Sequence, residues 1–241
     1  MATPQIQIIS PHQDDAAFSL GSVLAELSRC GISVMIVNCL TVSGYAPFSA
    51  LKTPRAVSRL RHCEDVEFAG RLGANTSIID LGCLDAPLRL GTACEHVCGL
   101  RPAFDPARRN LSRKLRDVLG AAPAILPLGL GGHVDHVLAR DEALLAGGSP
   151  LAFYEELPYA YRSADVDREA RDILSNCGMQ AFPHLCGATG AAFKRKLIGA
   201  YRSQASSAGL DQITSYRGGT ERLWMTSEFE KTWLNTVQDL K

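Results

Sequence analysis

The chain has 241 residues, 46 % of them hydrophobic and 21 % charged, an ordinary globular composition with ample core material for one domain over residues 1–241. Twenty-five Lys and Arg balance 25 Asp and Glu, and the pI is near 7, which argues against affinity built on neutralising nucleic-acid or membrane phosphates, though a local basic patch stays open. The start Met1-Ala2-Thr3-Pro4-Gln5 carries no secretory pattern and the longest apolar run, 34–40, is too short to span a bilayer, so a cytoplasmic protein with eight mostly reduced cysteines is expected.

In chain order, Ile6-Gln7-Ile8-Ile9 reads as a buried strand leading into Ser10-Pro11-His12. Residues 16–30 place Phe18, Leu20, Val23, Leu24 and Leu27 at helical spacing, closed by Gly31. A second strand is predicted over 34–40, a loop over 41–53, a helix over 54–72 ended by Gly73, and a third strand over 77–81. The stretch 82–106 is poorly periodic. Within it, Cys94-x3-Cys98 around His96 could be read as a metal site, but no second pair completes a structural zinc spacing, so small buried thiols are the expectation. A helix over 107–119, a fourth strand over 124–128, the loop Gly129-Leu130-Gly131-Gly132, a helix over 137–145 and a fifth strand over 151–154 follow. Helices are predicted at 167–177 and 191–204, with no clear pattern at the C-terminal end. This alternation implies an α/β, Rossmann-like fold, a mostly parallel sheet with helices on both faces. Ligands of such sheets sit beyond the carboxyl ends of strands, where both histidine-rich motifs fall.

The first motif is Pro11-His12-Gln13-Asp14-Asp15. If a helix begins there, His12 and Asp15 share a face about 5–6 Å apart, and an ion bound at about 2.0–2.2 Å can bridge them. Adjacent carboxylates otherwise repel; the competing reading is a helix start capped by aspartates. The second motif is Gly131-Gly132-His133-Val134-Asp135-His136, again with two imidazoles three apart. A lone histidine there would be structural, but His136 supplies a third ligand. His12, Asp15 and His136 meet the count of a catalytic zinc that keeps one position open.

Together these motifs resemble the PIG-L/LmbE family of zinc-dependent de-N-acetylases, with supporting matches at Arg61-x-x-Glu64, Asp85-Ala86-Pro87-Leu88-Arg89 and Tyr154-Glu155-Glu156-Leu157-Pro158-Tyr159. The resemblance spans residues 5 to about 160 well and the C-terminal elaboration, 161–241, loosely. It implies hydrolysis of the N-acetyl group of an amino-sugar or aminoglycoside-like substrate by metal-bound water, with Zn2+ in the site. A His2Asp set also accepts other divalent ions such as Fe2+ or Mn2+. It further implies Asp14 as general base, His133 held by Asp135 as oxyanion stabiliser, and Arg61 and Asp85 as substrate-hydroxyl contacts. Two departures stand out: Gly131 replaces the tyrosine of the mycothiol branch, so that tyrosine's contact is lost or comes from elsewhere, and Gly21-Ser22 replaces a common Gly-Gly.

Arg61 could instead pair with Glu64 or Asp65 on its own helix, and Glu155 and Glu156 could be solvated charge. Tyr154, Tyr159 and Tyr161 could wall a sugar ring or be core; Trp224 and Trp233 read as packing, and His62, His96 and His184 as surface or core. The expected partner is a small soluble N-acetylated sugar, not nucleic acid or a lipid-linked glycan, and homo-oligomerisation stays open. Two alternatives remain: a metal-dependent hydratase of an unsaturated carboxylic acid on the same frame, for which Arg89 and Arg101 would be candidate arginines, and a non-catalytic sugar-binding relative.

Overall fold

The structure is a computed structural model that describes residues 5–147, 151–187 and 189–238; residues 1–4, read above for a leader, lie outside them. Five parallel strands, β1 (Gln5–Ser10), β2 (Ser33–Asn38), β3 (Thr76–Asp80), β4 (Ala124–Pro127) and β5 (Leu151–Tyr154), are continued antiparallel by β6 (Phe182–Cys186) and β7 (Glu221–Met225). The sheet order is β3-β2-β1-β4-β5-β7-β6. The central strands are apolar on both faces, with Ile8 beside Ile36 on one side and Ile125 on the other, and all three are buried.

The helices linking the parallel strands are α1 (Asp15–Arg29), α2 (Pro54–Leu72), the short α3 (Ala86–Leu90), α4 (Arg108–Val118) and α5 (Val134–Ala146). From β1 the chain winds outward to β3, then returns to β1's other side to add β4 and β5. Right-handed crossovers in opposite directions put α1 and α2 on one face and α4 and α5 on the other. Accordingly α1 packs on α2 and α4 packs on α5. The reversal between β1 and β4 opens a crevice at their carboxyl ends, which is where ligands of such folds bind.

The C-terminal part adds α6 (Tyr159–Arg162), α7 (Val166–Asn176), α8 (Ala191–Ile198), α9 (Ser207–Ser215) and α10 (Ser227–Gln238). The helix predicted over 191–204 stops at Ile198, where Gly199 takes the C-cap. Residues 200–204 turn instead toward α2, where the Ser203 amide and hydroxyl donate to Glu64 and the Tyr201 hydroxyl to Asp65. Trp224 is core as expected, and Trp233 stacks on Phe229. Tyr154 is also core, its hydroxyl donating to the Ile9 carbonyl, while Tyr161 is exposed.

Candidate active site

The first motif leaves β1 as a turn, and α1 begins only at Asp15. Ser10 fixes this turn by donating to the His12 carbonyl and accepting from the Ala16 amide. Neither aspartate caps the helix in the ordinary way. Asp14 is the N-cap residue yet makes no side-chain cap bond; its carboxylate turns outward to Arg61 Nη2 at 2.7 Å. Asp15 turns back, so that its Oδ2 accepts from the His12 amide (2.9 Å) and lies 3.1 Å from His12 Nδ1.

The second motif follows β4 across the reversal. α5 starts at Val134, three residues before the predicted 137, because His133 is its N-cap and accepts at Nδ1 from the Asp135 amide. This early start places His136 within the first turn, with Nε2 3.4 Å from Asp15 Oδ2. Ligating atoms of His12, Asp15 and His136 thus lie within 4.8 Å of one another. His136 Nε2 is buried without a hydrogen-bond partner, an orphaned lone pair aimed at the cluster. With Asp15 Oδ2 3.1 Å from His12 Nδ1 and 3.4 Å from His136 Nε2, the three donors can share a divalent ion held at about 2.0–2.2 Å, so the set fits zinc or a similar ion.

The opposite ring nitrogens are held from behind. His12 Nε2 faces Asp135 Oδ2 at 2.8 Å, and His136 Nδ1 faces Glu156 Oε1 at 3.2 Å. Carboxylates in that position fix ring orientation and raise ligand basicity. Asp135 was expected to hold His133, and here the structure differs. Its carboxylate serves His12, Arg89 and the Ala86 amide, and only its backbone amide reaches His133. An accepting Nδ1 leaves the neutral ring's proton on Nε2. Burial and the neighbouring His136 and His12 push the His133 pKa down to about 3, which favours the neutral imidazole. Burial works against a charge on His12 too, but hydrogen bonds to Asp135 and Asp15 outweigh it and raise its pKa to about 10. Asp15 is held well below the carboxylate range despite its burial, by His136 and His12.

The cluster opens into a cavity of about 630 Å³. His12, Asp14, Asp15, Arg61, Asp85, His133, Asp135 and Tyr159 line it, with Tyr45, Cys94, Cys98, Arg162 and Gln204 among the rest of the wall, while His136 lies behind that lining. Arg61 is committed: beyond Asp14 it donates to Ser43 Oγ and the Tyr45 carbonyl, and its ion pair is with Asp14, not with Glu64 or Asp65. Asp85 caps α3 through one oxygen, donated to by the Leu88 amide. Cys94 and Cys98 are exposed free thiols in the cavity wall, not buried ones, and among the described residues they join no metal cluster. Tyr159 is the one tyrosine of the expected aromatic wall that lines the cavity. Its ring packs edge-on against His133 and His136 and occupies the space a side chain at Gly131 would need.

Several contributors were not foreseen. Glu155 and Glu156, read as solvated charge, are 3 % and 0 % exposed. Glu156 also accepts from the Gly129 amide, and Glu155 from Tyr216, Trp224 and Arg222. Arg89 lies behind His12 through Asp135, and Arg101 rests on the Leu100 and Gly132 carbonyls; neither lines the cavity. Among the described residues, no helix is long and apolar enough to cross a membrane.

Over 184 residues the chain is 34 % identical to a 2'-N-acetylparomamine deacetylase of Streptomyces fradiae, covering 69 % of this chain and 63 % of that protein's length. Its fold matches an antimicrobial pseudoaglycone deacetylase (TM-score 0.66, 23 % identity, 93 % of this chain and 97 % of that one). It also matches a deacetylase of teicoplanin biosynthesis (0.64, 19 %, 93 % and 99 %). A 4-carboxy-2-hydroxymuconate hydratase of Pseudomonas putida shares the fold as well (0.54, 16 %, 89 % and 84 %), so fold alone does not choose the reaction. Residues 7–146 match the family described as GlcNAc-PI de-N-acetylase, and the chain belongs to that PIG-L family.

Proposed function

We propose that this protein hydrolyses the N-acetyl group of an amino sugar, with an N-acetylated aminoglycoside intermediate as the substrate class. The observation that carries this reading is the clustering of His12, Asp15 and the orphaned His136 Nε2 within 4.8 Å, beside an Asp14 held by Arg61 and a His133 whose Nδ1 accepts from the Asp135 amide. The 2'-N-acetylparomamine relative supports the substrate class, and the cavity is of a size for such a small ligand.

His12, Asp15 and His136 hold the divalent ion, with Zn2+ the proposed occupant. When bound, the ion supplies a Lewis acid that polarises the acetyl carbonyl and acidifies water. Asp14, fixed by Arg61 with one oxygen left toward the cavity, takes the proton of the attacking water and returns it to the departing amine. His133 presents Nε2–H to the carbonyl oxygen as negative charge develops there, and a neutral donor pre-set by a backbone amide needs no rearrangement. Asp85, its second oxygen free of any cap bond, accepts from a sugar hydroxyl. Arg61, proposed from the sequence as a second sugar contact, keeps its Nη groups on Asp14, Ser43 and Tyr45 and serves the sugar by closing that wall. A hydratase of unsaturated acids would want free arginines over the cluster, and neither Arg89 nor Arg101 is placed for that.

The test is a panel of N-acetylated amino sugars and aminoglycoside intermediates, with acetate and free amine measured beside the metal content of the same sample. Acetate from at least one member, dependent on the ion and abolished in His136→Ala, is expected. A metal-loaded enzyme that releases no acetate from any of them would overturn the reading.

A further inference from the structure

Behind His12 the chain builds a buried ionic relay that runs from Asp135, at the cavity wall, to Arg89 and Asp105, which do not line the cavity. Asp135 Oδ2 is shared by His12 Nε2 at 2.8 Å and the Ala86 amide at 3.0 Å, while Oδ1 takes Arg89 Nη1 at 2.5 Å. Arg89 is in turn gripped from its other edge by Asp105, through Nε at 2.9 Å and Nη2 at 2.8 Å. Asp105 is itself fixed by the Ala107 amide at the start of α4. The side chains of Arg89, Asp105 and Asp135 are 2 %, 6 % and 0 % exposed.

We propose that Arg89, clamped by Asp105, is a positioning residue that sets how tightly the His12–Asp15–His136 site holds its divalent ion. The proposal rests on the metal reading of that site. A buried ion pair is weak evidence of stabilisation, since apolar residues of similar volume are often at least as stable, so this one calls for another account. The geometry supplies it. A guanidinium held bidentately by one carboxylate has a fixed plane, and its remaining Nη pins the next carboxylate in direction as well as distance. With Oδ1 so pinned, Asp135 cannot swing away from His12, and His12 keeps Nδ1 at 3.1 Å from Asp15 Oδ2. Groups behind a ligand that fix its ring in this way are worth about 10–100-fold in metal affinity. The relay adds a side-chain tie between the second motif and the 82–106 segment, beside the backbone bonds Gly99 N–H to Gly132 O and Val134 N–H to Val97 O.

The test measures zinc affinity by competition with a chromophoric chelator on the folded full-length chain, with circular dichroism on each sample. Arg89→Gln should bind zinc about 10–100-fold more weakly than wild type, with Arg89→Lys and Asp105→Asn in between. Because the two residues act in series, Arg89→Gln/Asp105→Asn should lose no more than Arg89→Gln alone. Lys194→Met breaks a different buried ion pair, to Glu221 at 2.7 Å, and should stay within about twofold of wild type as a distant site should. Wild-type affinity in both Arg89→Lys and Asp105→Asn would overturn the proposal, as would an equal loss in Lys194→Met. Should Arg89→Gln fail to fold, those two milder variants decide. A wild type that binds no zinc would instead overturn the metal reading itself, a result distinct from a wild type that binds and variants that bind equally.

Discussion

Asp14 shows how one side chain's partner decides its chemistry. An aspartate at a helix N-cap ordinarily accepts from the first-turn amides; this one does not, and a guanidinium 47 residues away along the chain takes it instead. Asp14→Asn should retain stoichiometric zinc and lose about 10²–10⁴-fold in kcat, the span of a lost general base; near-normal turnover would remove Asp14 from that role. Arg61 acts on the same group, so Arg61→Gln should lower kcat while leaving KM close to wild type, with Arg61→Lys milder. A rise in KM at unchanged kcat would make Arg61 a substrate contact after all. At Gly131 two constraints coincide: φ is +67° and an added Cβ would stand 3.2 Å from Tyr159 Cδ1. Gly131→Ala should therefore cost about 1 kcal/mol or more of stability, measured by denaturant unfolding, and disturb the tyrosine packed on His133 and His136.

At the scale of elements, α2 couples the site to the C-terminal turn. Its Asp65 accepts from Asn38 Nδ2 at 2.6 Å and from the Tyr201 hydroxyl at 2.6 Å, in a place buried enough to push its pKa up to about 7. The native state then keeps a proton that the unfolded chain, near 3.8, has already released. The sign follows for Asp65 alone: its contribution to stability is greatest below about pH 4, falls as pH rises toward 7, and its cost is complete above that. Asp65→Asn should flatten that fall, because an amide still accepts from Tyr201 and Asn38 can turn its unpartnered Oδ1 to meet the new N–H. Urea unfolding at pH 5 and pH 8 would check this, and an unchanged pH slope would refute it. The bounds of α2, 54–72, were readable from Pro54 and Gly73, which act locally. Asp65's burial was not, since it depends on Asn38 and Tyr201. The same holds for 82–106: α3 has five residues, too few for periodicity to show, and is held by Asp135 and Asp105 from outside. Glu155 and Glu156 looked like surface charge because their partners, such as Arg222 and His136, lie far along the chain. Strand β6 is an edge with Pro183 in it and an exposed pattern, so no alternation marked it.

The whole molecule works as a device for bringing two short motifs together. Each motif is a local string after a strand and was legible as such, but their meeting depends on the sheet reversing direction between β1 and β4. An ion bound as proposed would therefore link folding to metal binding, since the unfolded chain has no pre-formed His12–Asp15–His136 site. A ligand that binds only the native state stabilises it by about 2.7 kcal/mol at a free concentration 100-fold above Kd. For a chain of this length about 2–4 °C of Tm accompany each kcal/mol, so zinc-loaded protein should melt about 5–10 °C above the same protein after chelation. His136→Ala should melt at one temperature with or without zinc, because it lacks the third ligand. Equal melting of chelated and zinc-loaded wild type at that concentration would show that no ion joins the two halves of the sheet, and the catalytic assignment of both motifs would go with it.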